Sequence, residues 1–206
     1  MPEEVIYIIA GAVFVIGLII YAVLKYEKTR RQGLQDFEPD EELRDFNIFR
    51  KGHARKARNL VSGSRGGVAY RIFDYRYRVG GGNNSHTYHQ TVAFARLKQA
   101  ALPGFYLTPE HLFHRLGEKL GMQDIDFEHF PEFSGLYLLR GEDEAAIRRV
   151  FKPYILDYFQ NRKLKATIEA RDNRLIYYKR GKRVKPADMA ANFDQFRQLV
   201  ALFDRI

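Results

Sequence analysis

The chain has 206 residues, a net charge of +9, no cysteine and no tryptophan, and carries 16 Phe and 13 Tyr. That length holds one domain with a sizeable aromatic core, and the lack of cysteine excludes disulfide frameworks and thiol nucleophiles. The positive surplus favours anionic partners, such as an inner-leaflet lipid surface or nucleic acid.

Val5 to Leu24 reads VIYIIAGAVFVIGLIIYAVL, twenty uncharged residues of which thirteen are Val, Ile, Leu or Phe. At about 1.5 Å per residue they extend roughly 30 Å, which predicts a transmembrane helix. The acidic start, Glu3 and Glu4, and the missing cleavage box distinguish it from a secretory signal. Lys25, Lys28, Arg30 and Arg31 follow the span and no base precedes it. The positive-inside rule then puts the N-terminus outside and the C-terminal body in the cytoplasm, as a single-pass protein of the inner membrane. Three parts are expected: a short acidic tail and span over residues 1–24, a charged juxtamembrane tether over 25–58, and a cytoplasmic α+β domain over 59–206.

Within the tether an acidic block, Asp36, Glu38, Asp40, Glu41, Glu42 and Asp45, precedes a basic one, Arg50, Lys51, Arg55, Lys56 and Arg58. The basic block is a candidate surface for anionic head groups or phosphates. Asn59 to Gly67, NLVSGSRGG, reads as a Gly/Ser loop. It runs into a strand rather than a helix, so it lacks the context of a nucleotide cradle.

Val68 to Val79 and Tyr88 to Lys98 form the first predicted hairpin, joined by the Gly80–His86 loop. Phe73, Tyr75, Tyr77 and Val79 alternate with charged residues at the period of a half-buried strand. The phase changes near Ile72, which predicts a bulge or a strand covered on both faces. His86 and His89 fall on opposite faces and make a poor metal pair.

Thr108-Pro109-Glu110 predicts a helix start, with Thr as N-cap and Pro at the first helical position, and the helix is expected to reach Leu120. On it His111, His114 and Glu118 share one face at a spacing compatible with a metal such as Zn. No HExxH accompanies them, and a polar face turned to solvent is the ordinary explanation, since surface helices need such residues anyway. Ser134 to Arg140 is a predicted strand. Glu142-Asp-Glu opens a helix that Pro153 breaks, and Tyr154 to Asn161 resumes it. Leu164–Ala170 and Arg174–Lys179 form the second hairpin about Asp172-Asn173. Lys179, Arg180, Lys182, Arg183 and Lys185 cluster at its exit. Pro186 starts a last helix with the stripe Met189, Phe193, Phe196, Val200 and Phe203. The fold class expected from these elements is α+β: two antiparallel hairpins packed by about three helices behind one transmembrane helix.

Asp124-Ile-Asp-Phe127, Phe133-Ser-Gly-Leu-Tyr137, Arg140-Gly-Glu-Asp-Glu144, Arg148 and Phe151-Lys-Pro153 together resemble a family of bacterial single-pass membrane proteins with no assigned activity. Those have an N-terminal span and a cytoplasmic α+β body. The resemblance covers about residues 120 to 180, and it implies neither a catalytic residue nor a cofactor.

The leading expectation is a membrane-anchored binding or scaffolding module at the cytoplasmic membrane surface. Arg50, Lys51, Arg55, Lys56 and Arg58, then Lys179, Arg180, Lys182 and Arg183, would meet anionic lipid head groups or a protein partner. An enzyme reading rests on the His111, His114 and Glu118 trio, because GxSxG, HExxH and a strand-to-helix glycine loop are missing. A nucleic-acid reading rests on net charge and on the aromatics beside Arg76 and Arg78, and would need Tyr75 and Tyr77 exposed.

Overall fold

A computed structural model describes residues 36–98, 101–113 and 124–204. Eight strands, β1 (Asp36–Phe37), β2 (His53–Arg65), β3 (Val68–Val79), β4 (His86–Arg96), β5 (Leu102–Pro109), β6 (Tyr137–Gly141), β7 (Thr167–Asp172) and β8 (Arg174–Tyr178), make one sheet. Its order is β1-β2-β3-β4-β8-β7-β5-β6, and every neighbouring pair is antiparallel. The helices are α1 (Glu41–Arg44), α2 (Asn47–Arg50), α3 (Glu110–Phe113), α4 (Pro131–Leu136), α5 (Glu144–Val150), α6 (Pro153–Arg162) and α7 (Met189–Phe203).

Both faces of the sheet are covered. On one, Ala93, Ala95, Phe105, Leu107, Leu139, Ile168, Leu175 and Tyr177 pack against Phe133, Ile147, Phe151, Phe159, Phe196 and Phe203 from α4, α5, α6, α7 and their joints. On the other, Phe73, Tyr75, Tyr77, Val92, Phe94, Ile176 and Tyr178 pack against Leu43, Phe46, Ile48 and Phe49. The two-sided cover explains why Gln90 to Ala95 are buried without alternation and why Phe73, Asp74 and Tyr75 are buried in succession.

The expected fold class is corrected by this architecture. The two predicted hairpins exist as β3–β4 and β7–β8, but they are not separate units, because β8 pairs with β4 from Val92↔Tyr178 to Arg96↔Arg174. The result is a sheet-rich domain, not a helix-anchored pair of hairpins. The expected single-pass location in the inner membrane is corrected with it: among the described residues no helix is long and apolar enough to cross a membrane. The stretch Val5–Leu24 lies outside the described residues.

Residues 36–58 belong to the sheet domain instead of a tether. β1 pairs with Ala57 and Arg58, and β2 starts within the basic block at His53 and runs through the supposed Gly/Ser loop to Arg65. Only Gly66 and Gly67, with φ of +58° and +83°, make the turn, a two-residue connection of the kind that suits twisted strands. The phase change at Ile72 corresponds to an extra residue in β2, between the pairs Arg58↔Asp74 and Val61↔Ile72, where Asn59 takes a φ of +59°. The acidic block is spent on the sheet: Asp40 bonds Arg71 at 2.5 Å, Glu42 pairs with Arg71 and Arg96, Asp45 pairs with Arg174 at 2.9 Å, and Asp36 pairs with Lys56 and Arg58.

One helix start and one strand start are corrected. Thr108 and Pro109 finish β5, where the Thr108 hydroxyl lies 3.0 Å from that of Thr167, and the helix begins at Glu110. The segment before Tyr137 is helical from Pro131, so β6 is shorter than the strand expected there.

Candidate anion-binding site

Beyond β8 the chain does not leave the sheet. The strap Lys179-Arg180-Gly181-Lys182-Arg183-Val184-Lys185 is held along β4. Thr91 N–H donates to the Lys182 carbonyl at 3.2 Å, Val184 N–H to the Thr91 hydroxyl at 3.0 Å, and Gly181 N–H to Gln90 Oε1 at 3.2 Å. Gly181 has a φ of +65°, which lets the strap turn while keeping these bonds. The Arg183 guanidinium bonds the Asp74 carboxylate at 2.5 Å, and Asp74 also accepts from Asn59 Nδ2 and the Thr91 hydroxyl, each at 2.9 Å. Arg180 lies 4.8 Å over the Tyr88 ring.

A rigid strap of this kind positions its remaining bases. Lys179, Lys182, Arg183 and Lys185, with Arg162 at the end of α6, line one side of a cleft of about 540 Å³. Asp188 and the polar side of α7, with Asn192, Asp194, Gln195 and Gln198, line the other. Arg183 is engaged by Asp74, but Lys179, Lys182 and Lys185 have no ion-pair partner among the described residues. Asp194 is occupied by Gln198 at 2.9 Å and lies 3.8 Å from Arg197. Near the α7 wall the Tyr177 hydroxyl donates to Gln195 Oε1 at 2.7 Å. The Tyr158 hydroxyl is buried with no hydrogen-bond partner among the described residues. Burial pushes both phenols above the ordinary tyrosine range, so near neutral pH they remain hydrogen-bond donors.

Of the bases expected to bind an anionic surface, the structure brings Lys179, Lys182 and Arg183 into this cleft and turns Arg180 onto Tyr88. The N-terminal block is largely consumed internally. Arg55 donates to the carbonyls of Arg50 at 2.9 Å and Gly52 at 2.8 Å, and Arg50 donates to the Arg44 carbonyl at 3.2 Å. Lys51 lies 5.6 Å over the Tyr106 ring, and Lys56 and Arg58 share Asp36. His111 is exposed on α3, while His114 and Glu118 lie outside the described residues. Among the described residues no group of three or more His, Asp or Glu is placed to hold a metal ion. Tyr75 and Tyr77 are buried beneath α1 and α2, at 2% and 1% exposure, so they offer no stacking platform.

Arg162 and the amides of α7 were not singled out from sequence. The signal was present: the apolar stripe of the last helix leaves Asn192, Gln195 and Gln198 three apart on its flank, facing the exit cluster.

No family model matches the chain, and no curated protein matches it. Among solved structures the chain is similar to the crystal structure of the mycobacterial trehalose monomycolate transport factor A, TtfA. The TM-score is 0.56 and the identity 14%, over 88% of this chain and 90% of that chain. A likeness at that identity concerns the fold alone.

Proposed function

We propose that this domain is a binding module whose strap cleft takes a multiply charged anionic ligand with a polar body. The observation that carries the reading is the set of three lysines, Lys179, Lys182 and Lys185, held by a hydrogen-bonded strap around a cleft of about 540 Å³ with no carboxylate partner among the described residues. Lys56 and Arg58, by contrast, are matched to Asp36, and Arg55 donates to backbone carbonyls. The volume suits a small-molecule site, and the amides of α7 supply paired donors and acceptors for hydroxyl or ester groups.

Sucrose octasulfate is a suitable probe, being compact, polar and highly charged. Isothermal titration of the full chain should show binding that weakens as salt is raised, because part of the attraction is screened within about 10 Å at 0.1 M ionic strength. The Lys179→Ala/Lys182→Ala/Lys185→Ala variant should bind at least about tenfold more weakly, equivalent to about 1.4 kcal/mol. Equal affinity in wild type and variant would remove the basis of the proposal.

A further inference from the structure

A second, smaller pocket of about 230 Å³ lies on the far side of Arg183. Its floor is set by strand register. Lys56 on β2 stands opposite Arg76 on β3, and Arg76 stands opposite His89 on β4, so three basic side chains form one row across three strands. Like charges directly opposite each other on a sheet destabilise the pairing. The next row on the same face, Arg58, Asp74 and Thr91, supplies one carboxylate, and that carboxylate is already occupied by Arg183, Asn59 and Thr91. Lys56 and Arg58 also line the pocket, and both are paired with Asp36.

Arg76 is left in a different condition. It is half-buried, and its Nε is buried with no hydrogen-bond partner among the described residues. A buried guanidinium N–H without an acceptor is costly, and an arginine fork matches two oxygens of a tetrahedral oxyanion. His89 and Arg183 border the same space and add donors. The positive field is also felt by His89, whose pKa is lowered by partial burial first and then by Arg183 and Arg76, against the opposing effect of Asp74.

We infer that the Arg76, His89 and Arg183 pocket is an oxyanion site that takes a phosphoryl group, separate from the strap cleft and independent of the reading given to it. The bound group would offset the like-charge contact of Lys56 with Arg76 and accept from the Arg76 guanidinium. About 230 Å³ admits a phosphomonoester end and little more.

The test uses the full chain with three probes: inorganic phosphate, glucose 6-phosphate, and vesicles containing phosphatidic acid. Titration calorimetry and co-sedimentation read binding, and thermal melting reads folding. Phosphate should bind the wild type and raise its Tm. Arg76→Gln should weaken binding at least tenfold while melting no lower than wild type, because it relieves like-charge contact. Arg76→Lys should retain part of the affinity. Lys179→Ala/Lys182→Ala/Lys185→Ala should bind phosphate as the wild type does, and Arg76→Gln should bind sucrose octasulfate as the wild type does. Binding of the soluble probes assigns a free phosphate ester. Arg76-dependent binding confined to the vesicles assigns a lipid head group with the same chemistry. No binding in any arm, or binding that Arg76→Gln leaves unchanged, overturns the inference.

Discussion

Glu169 shows how much a single buried group decides in this domain. It is 2% exposed on β7, and three donors converge on it: Asn47 N–H at 2.6 Å, Ile48 N–H at 3.3 Å and the Tyr178 hydroxyl at 2.9 Å. The first two are the leading amides of α2, whose own preceding residue, Phe46, makes no side-chain cap. Glu169 thus caps a helix 122 residues away in the chain. Glu169→Ala should cost about 3 kcal/mol or more, read by urea unfolding, because three buried donors lose their acceptor. Burial also pushes the Glu169 pKa upward, against its hydrogen bonds and Lys51. With the folded pKa above the unfolded one, the group's contribution is fully present below the unfolded pKa and lost as pH rises through the folded pKa. Unfolding free energies should therefore fall more with rising pH in wild type than in Glu169→Gln, which cannot titrate. An identical pH slope in the two would contradict the assignment. Nothing in Thr167-Ile-Glu-Ala-Arg-Asp172 announces this role, since an acid at that phase reads as the solvent face of an alternating strand. Only the arrival of α2 on that face makes it interior.

Elements were legible in sequence where apolar and polar residues alternate or a capping residue marks a start, even though β7 and β8 are buried on both faces. β3, β7 and β8 show the period of two, Asp143 caps α5 at Ala146 N with 2.8 Å, and Pro153 opens α6. β2 and β5 were not legible, for opposite reasons. Most of β2 past Asn59 is exposed on both sides, whereas Phe105 to Pro109 of β5 are buried on both sides, so neither alternates. β5 also contains Pro103 and Gly104, and close packing is felt across the strand pair at the facing glycine. Gly104 O would lie 2.3 Å from a Cβ on Gly141 of β6, and Ile147 Cδ1 of α5 would lie equally close at 2.3 Å. The β5–β6 edge and α5 meet at this point, and a methyl group has no room. Gly141→Ala should lower stability by about 1–3 kcal/mol through forced repacking. Around Gly135 on α4 a methyl group would meet nothing within 4 Å, so Gly135→Ala should be neutral or gain up to about 1 kcal/mol from helix propensity. Differential scanning calorimetry of the pair tests the contrast, and equal losses would mean that strand separation at Gly141 is not limiting.

At the scale of the molecule the sheet is closed on its second face by one short segment, residues 36–50, joined by charges and by apolar side chains. The reversal from acidic to basic sequence was visible, but it suggests a solvated tether, because the interleaved Leu43, Phe46, Ile48 and Phe49 are too few to display a period. Magnitudes decide which of the two sets of contacts matters. The carboxylates of Asp36, Asp40, Glu42 and Asp45 are between 26% and 48% exposed, and exposed pairs are worth about 0–1 kcal/mol each. Leu43, Phe46, Ile48 and Phe49 are at most 4% exposed, and each fully buried side chain of this kind is worth about 1.5–3 kcal/mol. Phe49 also meets Tyr75 at 4.7 Å between ring centroids and Phe73 at 6.0 Å. The ion pairs therefore orient the segment and the four apolar side chains hold it. Phe49→Ala should cost about 3–5 kcal/mol, whereas Glu42→Gln should cost under about 1 kcal/mol despite touching both Arg71 and Arg96. The same ranking predicts that raising salt to about 1 M, where the screening length is about 3 Å, lowers the Tm of wild type far less than Phe49→Ala does. A Glu42→Gln loss as large as that of Phe49→Ala would reverse the ranking and make the segment an electrostatic clasp.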